Sequence, residues 1–164
     1  MAAPALIERE RAQFVVVYEL DVPGPPVGKG RPRLVRESSA CPGRGAMRVA
    51  TPLQTRQWEK RVKALVGALY RGERLKGPVA LRVESYKARP KNLCRKKDAE
   101  GAAWCMAVPD GDNILKIVAD AMVKSGIIKD DAQVVRWSID TLYAAPGEEP
   151  YVSLELCVLE GFEG

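Results

Sequence analysis

The strongest constraint on the fold of this chain is one amphipathic segment between Asp110 and Gly126. Its apolar residues recur with the spacing of one helix face, at Ile114, Ile117, Val118 and Ala121. Acidic residues at its start complement the free N–H groups of a first helical turn, and a glycine suits the position after the last turn. The sequence therefore predicts a helix that begins near residues 110–113 and ends at Ser125, with one face against a core.

The polar face of the same predicted helix carries Lys116, Asp120 and Lys124. Residues four apart on a helix are neighbours, and an acid and a base at that spacing attract each other. Asp120 is therefore expected as a surface partner of Lys116 or Lys124, with no role in chemistry.

A second helix is predicted after residue 50. Thr51 is expected as its N-cap, Pro52 occupies its first turn, and Gln54 is placed to complete a capping box. An apolar stripe follows at Trp58, Val62, Leu65 and Leu69. We expect this stripe to pack in the core and Gly72 to end the helix.

Four segments have the alternating or β-branched pattern of strands. They are residues 13–21, 78–87, 133–144 and 151–159. A turn with Pro and Gly joins the last two, which predicts a hairpin. The order β-α-β-α-β-β gives an α/β (α+β) fold, expected as one domain over residues 1–164 with two main helices packed on one mixed sheet. Residues 1–12 are expected to be an N-terminal extension.

Positive charge is concentrated in two segments, residues 24–50 and 88–108, which are expected to be basic loops. Residues 28–48 contain six basic residues and one acidic residue, and residues 88–108 contain five and two. Such clustering favours a polyanionic partner over a merely solvated surface. DNA contacts are therefore predicted at Lys29, Arg31, Arg33, Arg89, Lys91, Arg95, Lys96 and Lys97.

The residue types that the chain lacks limit its chemistry. It has no histidine, which excludes a histidine general base and any Ser-His-Asp or Cys-His nucleophilic site. Its four cysteines form no CxxC pair, so reduced thiols are expected rather than a zinc site. No apolar run suits a membrane span or a secretory signal, and no glycine-rich loop has the Walker A spacing. We expect a cytoplasmic protein with no membrane partner and no nucleotide cofactor.

Four aspartates and a lysine form the candidate active site. Asp110 and Asp112 lie at the mouth of the predicted helix, and Lys116 follows Asp112 by one turn on the same face. Asp130 and Asp131 come after a helix whose length returns the chain toward its own start. Carboxylates that converge at one end of a sheet would repel each other, and a hard divalent ion relieves that repulsion. Three or four of these aspartates are therefore predicted to bind a divalent ion, Mg²⁺ or Mn²⁺, in a site suited to phosphodiester hydrolysis.

The runs PDGDNILK, at residues 109–116, and KDDAQVV, at residues 129–135, are separated by twelve residues. Together they resemble the signature of the RusA family of Holliday junction resolvases. Weaker similarity extends to GKGRPR at residues 28–33, to the start of the helix after residue 50 and to the closing pair of strands. The similarity therefore spans most of the chain, although the basic segments are less specific than the two runs.

The resemblance implies a metal-dependent endodeoxyribonuclease that uses Mg²⁺. Members of the family act as symmetric dimers, nick two opposed strands of a four-way junction, and serve DNA recombination and repair. By position, the resemblance implies catalytic roles for Asp110, Asp112, Lys116 and Asp131, and a supporting role for Asp130. The chain differs from the family pattern in its N-terminal extension and its long segment at residues 24–50.

Two alternatives remain open from the sequence. A structure-selective nuclease for flaps or replication forks would use the same residues, because a linear motif does not encode junction geometry. A DNA-binding module without activity would use Lys29 to Arg33 as a minor-groove hook. The second alternative leaves the aspartates unexplained, since acids beside a phosphate backbone weaken binding unless a metal ion bridges them.

Overall fold

The computed structural model describes residues 13–36, 47–70, 72–95 and 100–162. Its elements in chain order are β1 (Phe14–Pro23), β2 (Arg33–Arg36), β3 (Met47–Ala50), α1 (Leu53–Leu69), β4 (Val79–Lys87), β5 (Ala103–Trp104), α2 (Gly111–Ser125), β6 (Val134–Tyr143) and β7 (Tyr151–Leu159). The predicted fold class is confirmed, because two helices pack on one mixed sheet. Within the described ranges, neither helix is long and apolar enough to cross a membrane.

The five-stranded sheet has the order β1-β7-β4-β6-β5. Strands β4 and β6 are parallel, and α2 forms the crossover between them; the other pairs are antiparallel. The predicted hairpin of the last two strands is wrong, because β4 lies between β6 and β7. Alternation in a sequence identifies the face of a strand that is buried, but it does not identify the neighbouring strand.

Helix α2 matches its prediction closely. It begins at Gly111 and ends at Ser125, and Gly126 has a φ of 86°, the left-handed conformation that a glycine adopts without strain. The side chains of Ile114, Ile117 and Val118 are fully buried against the sheet and α1. The apolar face of this helix therefore fixes where its first turn lies over the sheet.

Helix α1 differs from its prediction at both ends. The cap position is Pro52, which offers no side-chain acceptor, so the predicted cap by Thr51 is wrong. The carbonyl of Pro52 accepts the first helical bond, from the Arg56 amide at 3.2 Å.

The helix ends at Leu69, before Gly72, because Tyr70 is extended. Trp58 and Val62 are buried as expected, whereas Leu69 is exposed.

The segment at residues 24–50 is not wholly irregular, contrary to its prediction. β2 and β3 pair as an antiparallel two-stranded sheet that is separate from the main one. Its apolar side chains are exposed, for example Leu34 and Val49, which lie opposite each other. Residues 37–46, between the two strands, lie outside the described residues, as does the predicted N-terminal extension.

Candidate active site

Two aspartates lie at the start of α2, and the one at the cap position does not use its side chain to cap the helix. Asp110 is at the cap position, but its carboxylate makes no capping hydrogen bond. Its main-chain carbonyl instead accepts from the amides of Asn113, at 3.1 Å, and Ile114, at 3.2 Å. Both Asp110 and Asp112 are exposed. The free N–H groups and the positive end of the helix favour negative charge here, so two carboxylates are tolerated side by side.

Asp112 is paired with Lys116, as the spacing predicts. The Lys116 Nζ lies 2.9 Å from Oδ2 of Asp112, and both side chains are more than half exposed. The hydrogen bond from Lys116 is the main cause that lowers the pKa of Asp112 below its usual range. The Asp112 carboxylate is therefore ionised at neutral pH and available to a cation.

The two aspartates and Lys116 line one open cleft with a basic segment from the other side. Its lining is Lys29, Gly30, Arg31, Pro32, Asp110, Asp112, Asn113 and Lys116. Its volume of about 530 Å³ is that of a small-ligand site, large enough for a phosphodiester group and an ion. The cleft thus combines oxygen ligands for a hard cation with cationic side chains for a phosphate.

Backbone hydrogen bonds fix the GKGRPR segment beside the acids. The Lys29 amide donates to the carbonyl of Asn113 at 2.9 Å. The Gly30 amide donates to Oγ1 of Thr55 at 3.2 Å, and Thr55 is only 2% exposed. The segment is therefore attached to the first turns of both helices, and the next residue, Arg31, lies in the cleft.

The two glycines of this segment are required by close approach. A Cβ on Gly28 would lie 2.8 Å from Cβ of Pro109, and one on Gly30 would lie 2.7 Å from Cγ of Pro52. Neither distance is compatible with van der Waals contact, so a larger residue would push the segment away from the helices. Glycine at these positions lets the basic segment reach the acids.

Lys29 forms an ion pair with Asp120, with Nζ 2.6 Å from Oδ2. The prediction that Asp120 pairs with Lys116 or Lys124 is therefore wrong. Lys116 pairs with Asp112, and Lys124 pairs with Glu59 on α1. A contact distant in sequence replaced the local one because the segment at residues 28–33 crosses the polar face of α2.

Asp130 and Asp131 lie at the opposite end of α2, where the chain turns into β6. Asp130 caps a 3-10 turn (Asp131–Gln133): its Oδ1 accepts from the Ala132 amide at 2.8 Å. This backbone hydrogen bond is the largest cause that lowers the pKa of Asp130.

The Gln133 side chain completes a capping box and donates to the carbonyls of Leu75 and Gly77. Asp130 therefore has a structural function in its own turn.

The predicted convergence of all four aspartates within one chain is wrong. The 15 residues of α2 separate the two pairs, which at 1.5 Å per residue is about 22 Å. Among the described residues, no group of three or more acidic or thiol side chains is placed to hold one metal ion. The structure brings together Asp110, Asp112 and Lys116, and leaves Asp130 and Asp131 apart from them.

The basic residues of the second predicted loop have different roles. The Arg89 guanidinium donates to the carbonyls of Ala144, at 3.0 Å, and Gly101, so this half-buried side chain ties the loop to the sheet. This gives Arg89 a structural role that the prediction of a DNA contact missed. Lys91 and Arg95 are exposed, and Lys96 and Lys97 lie outside the described residues.

Sequence reasoning missed two residues near the site, Thr55 and Lys87. Thr55 gave no signal, because a threonine in the first turn of a helix is common and its long-range partner Gly30 lies 25 residues away. Lys87 did give one. It falls in register with the inward-facing Val79, Leu81 and Val83 of its strand, where a lysine is out of place.

The paired acids at the start of α2 and the basic residues of the segment at residues 28–33 line one cleft, an arrangement that suits the cleavage of a phosphodiester. The family model of endodeoxyribonuclease RusA matches residues 23–155, most of the chain. The chain therefore belongs to the RusA family of endodeoxyribonucleases, as the resemblance indicated. It is also similar to uncharacterized protein YqaN of Bacillus subtilis (strain 168), at 34% identity over 137 residues, which cover 80% of this chain and 89% of that protein.

Proposed function

We propose that this protein is a magnesium-dependent Holliday junction resolvase of the cytoplasm, which makes paired symmetric cuts in recombination and repair. One observation carries the proposal: Asp110 and Asp112 face Arg31 and Lys116 in a single cleft of a RusA-family chain. The acids provide the oxygen ligands of a hard cation, and the bases provide the contacts of a phosphate.

The residues present fit Mg²⁺. Asp110 and Asp112 would hold it, since the first carboxylate makes no capping hydrogen bond and the second is an exposed, ionised carboxylate. Among the described residues that line this cleft, the anionic ligands are carboxylate oxygens, which suit Mg²⁺ or Mn²⁺ better than a thiolate-binding metal. When bound, the ion supplies a lowered pKa for the attacking water and neutralises charge on the phosphate.

The basic side chains of the cleft bind and orient the substrate. Arg31 presents a planar guanidinium that can bind a phosphate through two hydrogen bonds, and its segment is fixed to both helices. Lys116 holds Asp112 in place, and its ammonium faces the cleft, where it can stabilise the charge that develops on the phosphate oxygens.

A homodimer accounts for the separate position of Asp131. The outer edge of β6 pairs with β5 at Leu142 and Tyr143, and its Thr141 carbonyl accepts from the Cys105 amide, so among the described residues the edge before Thr141 is open. Val135 and Trp137 on this part of β6 are exposed. Such an open apolar edge is suited to pairing with a second copy.

Twofold pairing of two β6 strands would be antiparallel. The first residues of one β6, which follow Asp131, would then lie beside the latter half of the open edge of the other, near Ile139. The first turn of α2 packs over this latter half, because Gly111 approaches Ile139. In this arrangement Asp131 of the partner subunit would approach Asp110 and Asp112, so each site would draw on both chains. Light scattering tests it: full activity from a monomer at micromolar concentration would contradict the shared site.

A labelled synthetic four-way junction tests the function. We expect paired nicks at symmetric positions with Mg²⁺ or Mn²⁺, and none with EDTA. Flap, fork and linear duplex substrates with the same sequences serve as controls. Faster cleavage of flaps or forks than of the four-way junction would replace the resolvase by a structure-selective nuclease, and cleavage in EDTA would contradict a metal site.

The alternative of a non-catalytic minor-groove hook is not favoured. A hook is a free loop, whereas residues 28–30 are attached to both helices, and Arg31 lines the same cleft as the aspartates. A segment held in this way cannot enter a groove without leaving its hydrogen bonds. The structure therefore favours a role for Arg31 at the acids.

A further inference from the structure

Lys87 is a buried lysine that the proposed chemistry does not use. It is the last residue of β4, and its side chain is only 7% exposed. Its ammonium donates to two main-chain carbonyls, those of Ala107 and Pro109, the latter at 2.9 Å. Pro109 is the residue before Asp110, so the lysine contacts the segment that leads into the active site.

A lysine in this position needs an explanation. Removing an ammonium from water is unfavourable unless hydrogen bonds or an opposite charge compensate. No carboxylate of the described residues lies within 4.0 Å of the Lys87 ammonium. Its polar partners are the two carbonyls, which an apolar side chain at the same position would leave unpaired. The buried charge therefore serves the conformation of residues 107–109.

Asp110 is held from both sides in consequence. On one side, Lys87 fixes the carbonyl of Pro109. On the other, the carbonyl of Asp110 accepts from Asn113 and Ile114 and belongs to the first turn of α2. The direction of the Asp110 carboxylate thus depends on the backbone, because that side chain makes no capping hydrogen bond of its own.

We propose that Lys87 is a positioning residue for the metal-binding acids. It keeps residues 107–109 in the one arrangement that aims Asp110 at the cleft, and it touches neither substrate nor metal. This inference rests on the proposed function, since it assumes that Asp110 and Asp112 bind a divalent cation.

The direction of the change in metal affinity distinguishes a positioning role of Lys87 from a purely electrostatic role and from a purely structural role. A lysine that acted only through its charge would repel a divalent cation, so its removal would tighten metal binding. A lysine needed only for folding would change the melting temperature of the metal-free protein and leave metal affinity unchanged. A positioning residue predicts weaker metal binding despite the loss of a positive charge.

The experiment compares Lys87→Met with Arg82→Met in the full-length protein. Arg82 lies on the same strand, but it is exposed and paired with Glu155, so its replacement removes a charge without touching residues 107–109. Mn²⁺ affinity is measured by calorimetry and by electron paramagnetic resonance, with metal-free melting temperature and four-way junction binding in EDTA alongside. For Lys87→Met we expect Mn²⁺ binding to weaken on the order of 10–100-fold, as for other residues that orient metal ligands. Junction binding in EDTA should hold, and Arg82→Met should match the wild type.

Unchanged or tighter Mn²⁺ binding by folded Lys87→Met would overturn the proposal. Should that variant not fold, Lys87→Gln keeps one donor in place and is measured in the same way, with the same expected direction. Mn²⁺ binding by the wild-type protein separates this proposal from the proposed metal site on which it rests. A wild-type protein that binds no Mn²⁺ overturns the metal site itself, whereas a normal wild type with an unaffected Lys87 variant overturns only the positioning role.

Discussion

The two ends of helix α2 both carry a pair of aspartates, and they use them differently. At the C-terminal end, Asp130 caps the turn before β6 and is held there by a capping box. At the N-terminal end, the Asp110 carboxylate makes no capping hydrogen bond, the Asp112 carboxylate pairs with Lys116, and both residues line an open cleft with basic residues. An aspartate that its own turn does not need is the better candidate for chemistry, since its charge is left for a ligand.

Replacing Asp112 with asparagine should have the largest effect on the N-terminal end. Size and hydrogen-bonding reach are kept while a ligand charge is lost, so we expect cleavage to fall by at least about a hundredfold. Junction binding should hold or tighten, because a negative charge near the phosphates is gone. The melting temperature should change little, since the pair with Lys116 is exposed. A variant that cuts at nearly the wild-type rate would remove the catalytic assignment of this end.

Lys116→Ala should act on the same end in a different way. Cleavage should fall by about a hundredfold, because a donor that stabilises the phosphate charge is lost. Mn²⁺ affinity should hold or rise slightly, since both carboxylates remain and a positive charge beside one of them is gone. Calorimetry and single-turnover cleavage check the two parts. Loss of Mn²⁺ binding in this variant would show that the lysine serves mainly to hold Asp112.

Gly30→Ala tests whether cleavage depends on the position of the segment at residues 28–33. The new Cβ would lie 2.7 Å from Pro52 and 3.0 Å from Thr55 Oγ1, so the segment that carries Arg31 must shift. We expect cleavage to fall roughly tenfold from misplacement of the substrate contact, while Mn²⁺ affinity holds. Gly67→Ala is the matched control, because a Cβ there meets nothing within 4 Å. Equal activity of the two variants would mean that cleavage does not depend on the attachment of this segment to the two helices.

Asp130→Ala should show the smallest effect on cleavage and should mark the structural end. Loss of the cap is expected to lower the melting temperature by a few degrees, with Mn²⁺ affinity unchanged. Asp21→Ala, at an exposed position of β1 on the opposite edge of the sheet, serves as the control. If Asp130→Ala abolished Mn²⁺ binding in a folded protein, the contrast between the two ends would fail.

The pH dependence of stability gives an independent check of the same cap. The pKa of Asp130 is lowered in the folded state, so its contribution is present above the unfolded pKa of about 3.9 and is lost as pH falls through the lower folded value. Acid denaturation of Asp130→Ala should lack this part of the wild-type loss of stability. Denaturation curves at a series of acid pH values would show the difference, and superimposable profiles would exclude it.

The sequence predicted what depends on local pattern. Helix α2, with its acidic start and Gly126 at its end, was predicted closely because each signal lies within the segment it controls. The pairing of Asp112 with Lys116 has the same local origin. The candidate site residues came from the resemblance of residues 109–116 and 129–135 to the RusA signature. The spacing of the acidic residues alone would not have shown which of them were the better candidates.

Long-range choices were not predictable in the same way. The ion pair of Lys29 with Asp120 and the hydrogen bond of Gly30 to Thr55 depend on where the segment at residues 28–33 lies in three dimensions. The order of β6 and β7 failed for a related reason, since both had better partners in β4 than in each other. The separation of Asp131 from Asp110 follows from helix length and direction, and the sequence reading had assumed that the chain returns to its start.

The strand order also has a consequence for the time course of folding. β7 pairs with β1 and with β4, so Phe14 meets Leu159 across almost the whole described chain. Contacts of such high sequence separation form late, because a long loop must close before they contribute. The sheet beneath α2 is therefore expected to reach its final form only after β7 has docked. Competence to cut DNA should accordingly arise in one late step, with no active species before it.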